Sequence, residues 1–120
     1  MRDSSGRSAV SNSTHDAELA FERLMSGLPF SVRPDMIYED YVVVWLKDLA
    51  ITVQKAVATN SGDQDLLVGI DNVAKTIGQF LMFMASNDED KEKVRQYGDA
   101  LGQIMNHVKV IAKKIAEQQP

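Results

Sequence analysis

The sequence predicts an all-α protein: an antiparallel bundle of three to four helices with coiled-coil-like seams, behind a disordered N-terminal tail. Two apolar patterns carry that expectation. Leu66, Ile70, Val73, Ile77, Phe80 and Met84 alternate by four and three, and so do Val94, Tyr97, Leu101, Ile104, Val108, Ile111 and Ile115. Such spacing keeps one stripe of a helix turned towards its neighbours. A third observation concerns the breaks. Asn60-Ser61-Gly62-Asp63 and Ser86-Asn87-Asp88-Glu89-Asp90 are short polar interruptions, and connections of that length make successive helices antiparallel.

The elements follow in order. Residues 1–13 are Ser-rich with no apolar period, which fits a disordered tail, and residues 14–120 form one helical domain. A first helix is expected over about 15–27, with Ala17, Phe21, Leu24 and Leu28 on one stripe and Gly27 and Pro29 ending it. A second is expected over about 35–59, with Pro34 fitting its first turn and Asp35, Glu39 and Asp40 suiting the positive end of its dipole. Val42-Val43-Val44-Trp45 is β-prone, yet Val42, Leu46, Leu49, Val53 and Ala56 continue a helical period through it. The third helix, about 63–85, takes Ser61 as its expected N-cap with Gln64 three residues on. The fourth, about 89–117, has its acidic start in Asp88-Glu89-Asp90 and a basic end in Lys109, Lys113 and Lys114.

Composition narrows function by exclusion. The 120 residues suit one domain. With no cysteine, thiolate metal sites and disulfides are ruled out and a reducing cytoplasm is the expected location. Met1–Thr14 is polar, so no secretory signal is expected, and no apolar run approaches the ~18 residues of a membrane span. The net charge is −4, distributed as zero over residues 1–34, −7 over 35–90 and +3 over 91–120. The acidic middle disfavours nucleic acid, which requires clustered cations.

No constellation of catalytic residues is visible, so no enzymatic activity, cofactor or metal is expected. Asp63/Asp65 and Asp88-Glu89-Asp90 sit at helix starts, where the dipole accounts for them, and the latter lacks calcium-loop spacing. His107 is the one histidine expected in the folded part, with His15 at the tail or the helix start. Phosphotransfer bundles typically carry His-x-x-Lys-Gly on an early helix. Here His107-Val108-Lys109 stands on the last helix with no following glycine.

The informative feature lies where amphipathic logic is exceeded. Phe80-Leu81-Met82-Phe83-Met84 and Tyr41-Val42-Val43-Val44-Trp45-Leu46 are apolar on every side for more than a turn, and an antiparallel hairpin puts them at one end, beside Phe30. Either residues 15–32 cover this belt or a second chain does, and an apolar ligand pocket is a further possibility. Phe30, Val43, Trp45, Met82 and Phe83 are therefore the candidate partner interface. The expected function is a protein–protein interaction module, an adaptor, chaperone-like or regulatory assembly subunit, working as a homodimer or with another protein. An apolar-ligand-sensing bundle and a phosphotransfer-like domain resting on His107 are the alternatives. On the interface expectation, Trp45→Glu with Phe83→Glu separates two chains without unfolding them. Gly98 and Gly102, four apart, together with Gly69 and Gly78, point to close helix contacts or a hinge.

Overall fold

The computed structural model describes residues 5–33, 36–87 and 90–118, with side chains from Ser13 onward. It contains α1 (Ser5–Met25), α2 (Tyr38–Ala58), α3 (Gln64–Ser86) and α4 (Lys91–Gln118), and no strand among the described residues. Helix α1 begins upstream of the boundary read from the sequence. The sequence before Thr14 is Ser-rich with no apolar period, so periodicity could not mark it as helix. Residues 1–4 of the expected tail and the expected first-turn residues Pro34 and Asp35 lie outside the described residues.

The helix ends show why the chain breaks where it does. After α1, Leu28 N–H donates to Arg23 O (3.1 Å) and Gly27 N–H to Leu24 O (2.9 Å), with Gly27 at φ +86°. This double closure needs a left-handed residue, which glycine adopts without a Cβ penalty. After α2 the same pair recurs, Ser61 N–H to Ala56 O (2.9 Å) and Asn60 N–H to Val57 O (3.2 Å), with Asn60 at φ +52°. Asp63, not Ser61, caps α3: its carboxylate accepts from Leu66 N–H at 2.9 Å. Ser61 is drawn into the preceding turn, where its hydroxyl lies 2.6 Å from that of Thr59. Asp90 caps α4 through Glu92 N–H (2.9 Å).

Helices α2 and α3 form the centre of the bundle. Each touches the other three helices, while α1 and α4 lie on opposite sides and do not meet. The seams read from the sequence supply the core: Val42, Leu49, Val53, Ile70, Val73, Ile77, Phe80 and Met84 are fully buried or nearly so. By length and composition α3 alone among the described helices could cross a membrane. One third of that window is buried in the bundle (33%), while Val68, Met82 and Phe83 of the same helix are exposed.

The last three helices alternate in direction as expected, whereas α1 runs parallel to α2. The bond from Trp45 to Ala17 and the contact of Gly69 with Met25 fix this direction. Residues 26–37 form the return, a length whose extended reach of ~40 Å is enough to run back along a helix. Asn72 on α3 holds the start of this connector, its amide donating to Leu24 O and Leu28 O, both at 2.9 Å.

Of the four glycines singled out, one marks a close approach. A Cβ on Gly69 would lie 2.3 Å from Met25 O, while Gly78, Gly98 and Gly102 have open space. Gly69→Ala is expected to lower stability by about 1–3 kcal/mol. Gly78→Ala, which only removes backbone freedom, is expected to raise it by up to about 1 kcal/mol. Urea unfolding of the two variants tests this opposition of sign.

Candidate functional site

The apolar belt is closed largely within the chain. The Trp45 indole is fully buried and donates from Nε1 to Ala17 O at 2.8 Å. Phe30, brought back by the connector, packs edge-on to Trp45 at 5.3 Å between centroids and lies 5.9 Å from Phe80. Tyr38 bridges outward, 5.2 Å from Phe80 and 5.5 Å from Phe83. Rings at these separations gain from tilted and edge-to-face contact beyond the area they bury.

A polar clasp holds the cover down. Asp16 on α1 accepts from the Tyr41 hydroxyl and from Arg33 Nη2 (2.9 Å), and Arg33 also donates to the Tyr41 oxygen at 3.2 Å. The Tyr41 hydrogen bond, ahead of the Arg33 contacts, holds the Asp16 carboxyl below the ordinary carboxylate range against its partial burial. Burial and the Asp16 bond push Tyr41 up to about 12. None of Asp16, Arg33 and Tyr41 was legible as a set, because they lie on three segments joined only by the return of the connector.

The five sequence candidates therefore separate. Trp45 is fully buried in the core, and Phe30 is half-buried in the aromatic cluster. Val43, Met82 and Phe83 remain exposed at 45%, 69% and 37%, but they do not converge. Phe83 shares the α3 face of Asn72 and Thr76, towards α1. Met82 shares the outer face of Asp71 and Lys75, which pair at 3.3 Å. Val43 lies one and two turns before Leu46 and Ala50, on the face of α2 that looks towards α4.

On that α4 side lies a feature the sequence did not disclose. A groove of about 370 Å³ runs between α2 and α4, lined by Leu46, Lys47, Ala50, Val53, Gln54, Ala100, Gln103, Ile104 and His107. Leu46 and Val53 are buried at its base, Ala50, Ala100 and Ile104 are half-buried, and Lys47, Gln54, Gln103 and His107 are exposed along its rim. The methyl groups of Ala50 and Ala100 are too short to fill the space between the helices. Within α4, no residue before Val108 is fully buried, although the seam begins at Val94.

Polar ties hold the two helices at either end of the groove. At one end the Tyr97 hydroxyl donates to Glu39, which also pairs with Lys93 at 3.2 Å. At the other, Lys114 Nζ donates to Asn60 Oδ1 at 2.9 Å. The Tyr97 bond, and after it Lys93, holds Glu39 below the ordinary carboxylate range, while burial and Glu39 push Tyr97 up to about 12. His107 Nδ1 lies 3.1 Å from Gln103 O. Among the described residues no group of three His, Asp or Glu could hold a metal ion. No family model matches the chain, and no curated protein or solved structure matches it either.

Two outcomes follow for solution work. Glutamate at Trp45 would place an unpaired charge in the core and leave Ala17 O without its donor, so Trp45→Glu is expected to cost more than about 4 kcal/mol. Met82→Glu is expected to stay within about 0.5 kcal/mol of the parent. Thermal unfolding followed by circular dichroism separates the two. This reverses the expectation that charge at Trp45 gives a folded monomer.

The clasp and the end tie also set a pH dependence. Asp16 and Glu39 titrate lower in the folded chain than unfolded, so their stabilisation is complete above the unfolded value and lost as pH falls through the folded one. Asp40 and Asp48, raised by burial, act with the opposite sign. Tyr41 and Tyr97 titrate higher when folded, so their contribution is complete below about 10 and lost as pH rises through about 12. Asp16→Asn with Glu39→Gln is expected to lose less stability than the parent between about pH 6 and pH 2.5, read from urea midpoints across that range.

Proposed function

We propose that this protein is a non-enzymatic interaction module, and that its docking surface is the α2–α4 flank rather than the aromatic belt. The observation that carries the reading is the incomplete burial of the α4 seam, which leaves an apolar-floored groove with a polar rim. Seam residues at strict heptad spacing normally disappear into a bundle. Here the seam residues Val94, Tyr97, Leu101 and Ile104 stay only partly buried, and Ala100, beside the seam, lines the groove with Ala50. Exposed Val43 and Val110, on the same flank by helical spacing, extend the apolar surface at both ends. An apolar centre with a polar border is the ordinary anatomy of a protein-binding site.

An adaptor, chaperone-like or assembly role fits this surface, and the closed belt serves to keep the bundle rigid beneath it. A small apolar ligand is the second reading, favoured by a groove volume of about 370 Å³, which falls within the range of ligand sites. A photo-crosslinking amino acid at Gln103, on the rim, is expected to give a discrete protein adduct in the cells that produce this chain. The same group at Gln79, on the outer face of α3, is expected to give none. Equal labelling from both positions, or no protein adduct from Gln103, overturns the interaction reading. A small-molecule adduct at Gln103 alone supports the second one.

A further inference from the structure

We infer that residues 29–33 form a strap that lifts as a unit while the four helices stay folded, with the Arg33 clasp as its latch. The strap lies on the α1 side of the bundle, so the inference stands apart from the α2–α4 groove.

The backbone supplies the first reason. The near pivot of the strap is firm. Leu28 N–H donates to Arg23 O, and Asn72 on α3 holds Leu24 O and Leu28 O. Beyond that point the bonding stops. Pro29 has no N–H, and the amides of Phe30, Ser31 and Val32 donate to no group among the described residues. The far pivot is a turn in which Arg33 O accepts from Met36 N–H at 3.3 Å and Arg33 N–H meets Met36 Sδ at 3.0 Å. Lifting the segment between these pivots gives up side-chain contacts and no backbone hydrogen bond, which is the physical mark of a low-stability unit.

The side chains supply the second. Pro29, Ser31, Val32 and Arg33 are exposed and Phe30 is half-buried. Phe30 closes on Trp45 at 5.3 Å, Tyr41 at 5.8 Å and Phe80 at 5.9 Å. Arg33 Nη2 reaches Asp16 at 2.9 Å, and the two side chains of that pair are 53% and 41% exposed. An ion pair so open to water adds little to stability. The hold of the strap therefore falls on the Phe30 ring and on a clasp that water can reach.

The third reason is space. The strap bridges α1 instead of packing down on it. A cavity of about 270 Å³ remains between Asp16, Ala20 and Arg23 of α1 and Pro29, Phe30 and Arg33 of the strap. Lifting joins this cavity to the slot that Phe30 leaves among the Trp45, Tyr41 and Phe80 rings. The strap is thus a gate. Closed, it seals the aromatic cluster; lifted, it presents a ring-sized apolar slot with Asp16 and Arg23 beside it.

Chymotrypsin under native conditions tests this on the unaltered chain. The enzyme cuts after Phe30 only when that ring leaves the cluster and the flanking residues become extended. Cleavage of a transiently opened state follows the population of that state. The first cut is expected at Phe30–Ser31, at least about ten-fold faster than global unfolding permits and before any cut in α2, α3 or α4. Arg33→Ala is expected to speed this cut about five-fold, the scale of an exposed charged contact. Lys75→Ala, on the outer face of α3, is expected to leave it unchanged. Trp45 is the one tryptophan, and its N–H is bonded to Ala17 O. Its hydrogen exchange in the uncut chain is expected to stay as slow as that of the buried Val73 amide, because α1 remains seated.

A first cut elsewhere, or one at Phe30 no faster than global unfolding, overturns the inference. So does a rate that Arg33→Ala leaves unchanged or that Lys75→Ala raises equally. Indole exchange as fast as the Phe30 opening overturns it in favour of α1 and the strap leaving together.

Discussion

The burial of Trp45 ties together three parts of the chain that are far apart in sequence. Its ring lies against Phe80 of α3 at 4.9 Å, Phe30 of the connector closes on it, and its N–H ends on Ala17 of α1. A side chain of this size removes some 150–250 Å² from water, about 4–6 kcal/mol at the usual coefficient. That gain is available only if the indole N–H finds an acceptor. Helical carbonyls of α1 are already engaged along the axis, yet an oxygen has a second lone pair, and Ala17 lends it. Small residues make this approach possible: Ala17 and Ala20 present almost no side chain to α2, so the backbone of α1 comes within reach. The same logic recurs at Gly69, where even a methyl group would collide with Met25.

Once α1 is fixed on that side, the parallel direction of α1 and α2 and the long return of residues 26–37 are obligatory. The return is then used twice. Phe30 completes the aromatic cluster, and Arg33 joins Asp16 and Tyr41 in the clasp. The chain therefore invests its cover on one side of the α2–α3 pair. The α4 side receives a single helix with no second layer over the seam between α4 and α2, and its polar ties sit at the ends rather than along the middle. The asymmetry of the bundle, rather than any single residue, produces the open groove.

Much of this was legible in the sequence, and the limits have physical causes. The seams of α3 and α4 and the stop at Gly27 follow from periodicity and local backbone preference, so they could be read directly. The capping of α3 could not, because Ser61 and Asp63 are both competent caps, and the choice depends on Ser61 pairing with Thr59 in the turn. The excess apolarity of Val42–Leu46 and Phe80–Met84 was visible, but what covered it was not. That depended on Phe30 returning across two helices, which no local rule specifies. The groove was less visible still. Ala50 and Ala100 are unremarkable helix formers in sequence, and only their meeting across α2 and α4 leaves the hollow.

The charge pattern gains a meaning from this geometry that the linear sequence did not supply. Read along the chain, the negative middle and positive C-terminal part look like the capping preferences of successive helices. Folding places them differently. The carboxylates of α2 that face α1 and α4 are drawn into the clasp side and the end tie, with Asp48 raised by burial near Glu18 and Glu39 neutralised by Lys93. At the tie end Glu39 also feels Asp90 and raises Asp40, so carboxylates as well as lysines border the α2–α4 flank. Helix-dipole chemistry explains why lysines lie near the end of α4, but it gives no reason for Lys47 to stand in the middle of α2, eleven residues before that helix ends. A cation there contributes little to helix stability through the dipole; it acts on Asp48 of the same helix, drawing that carboxyl down against its burial.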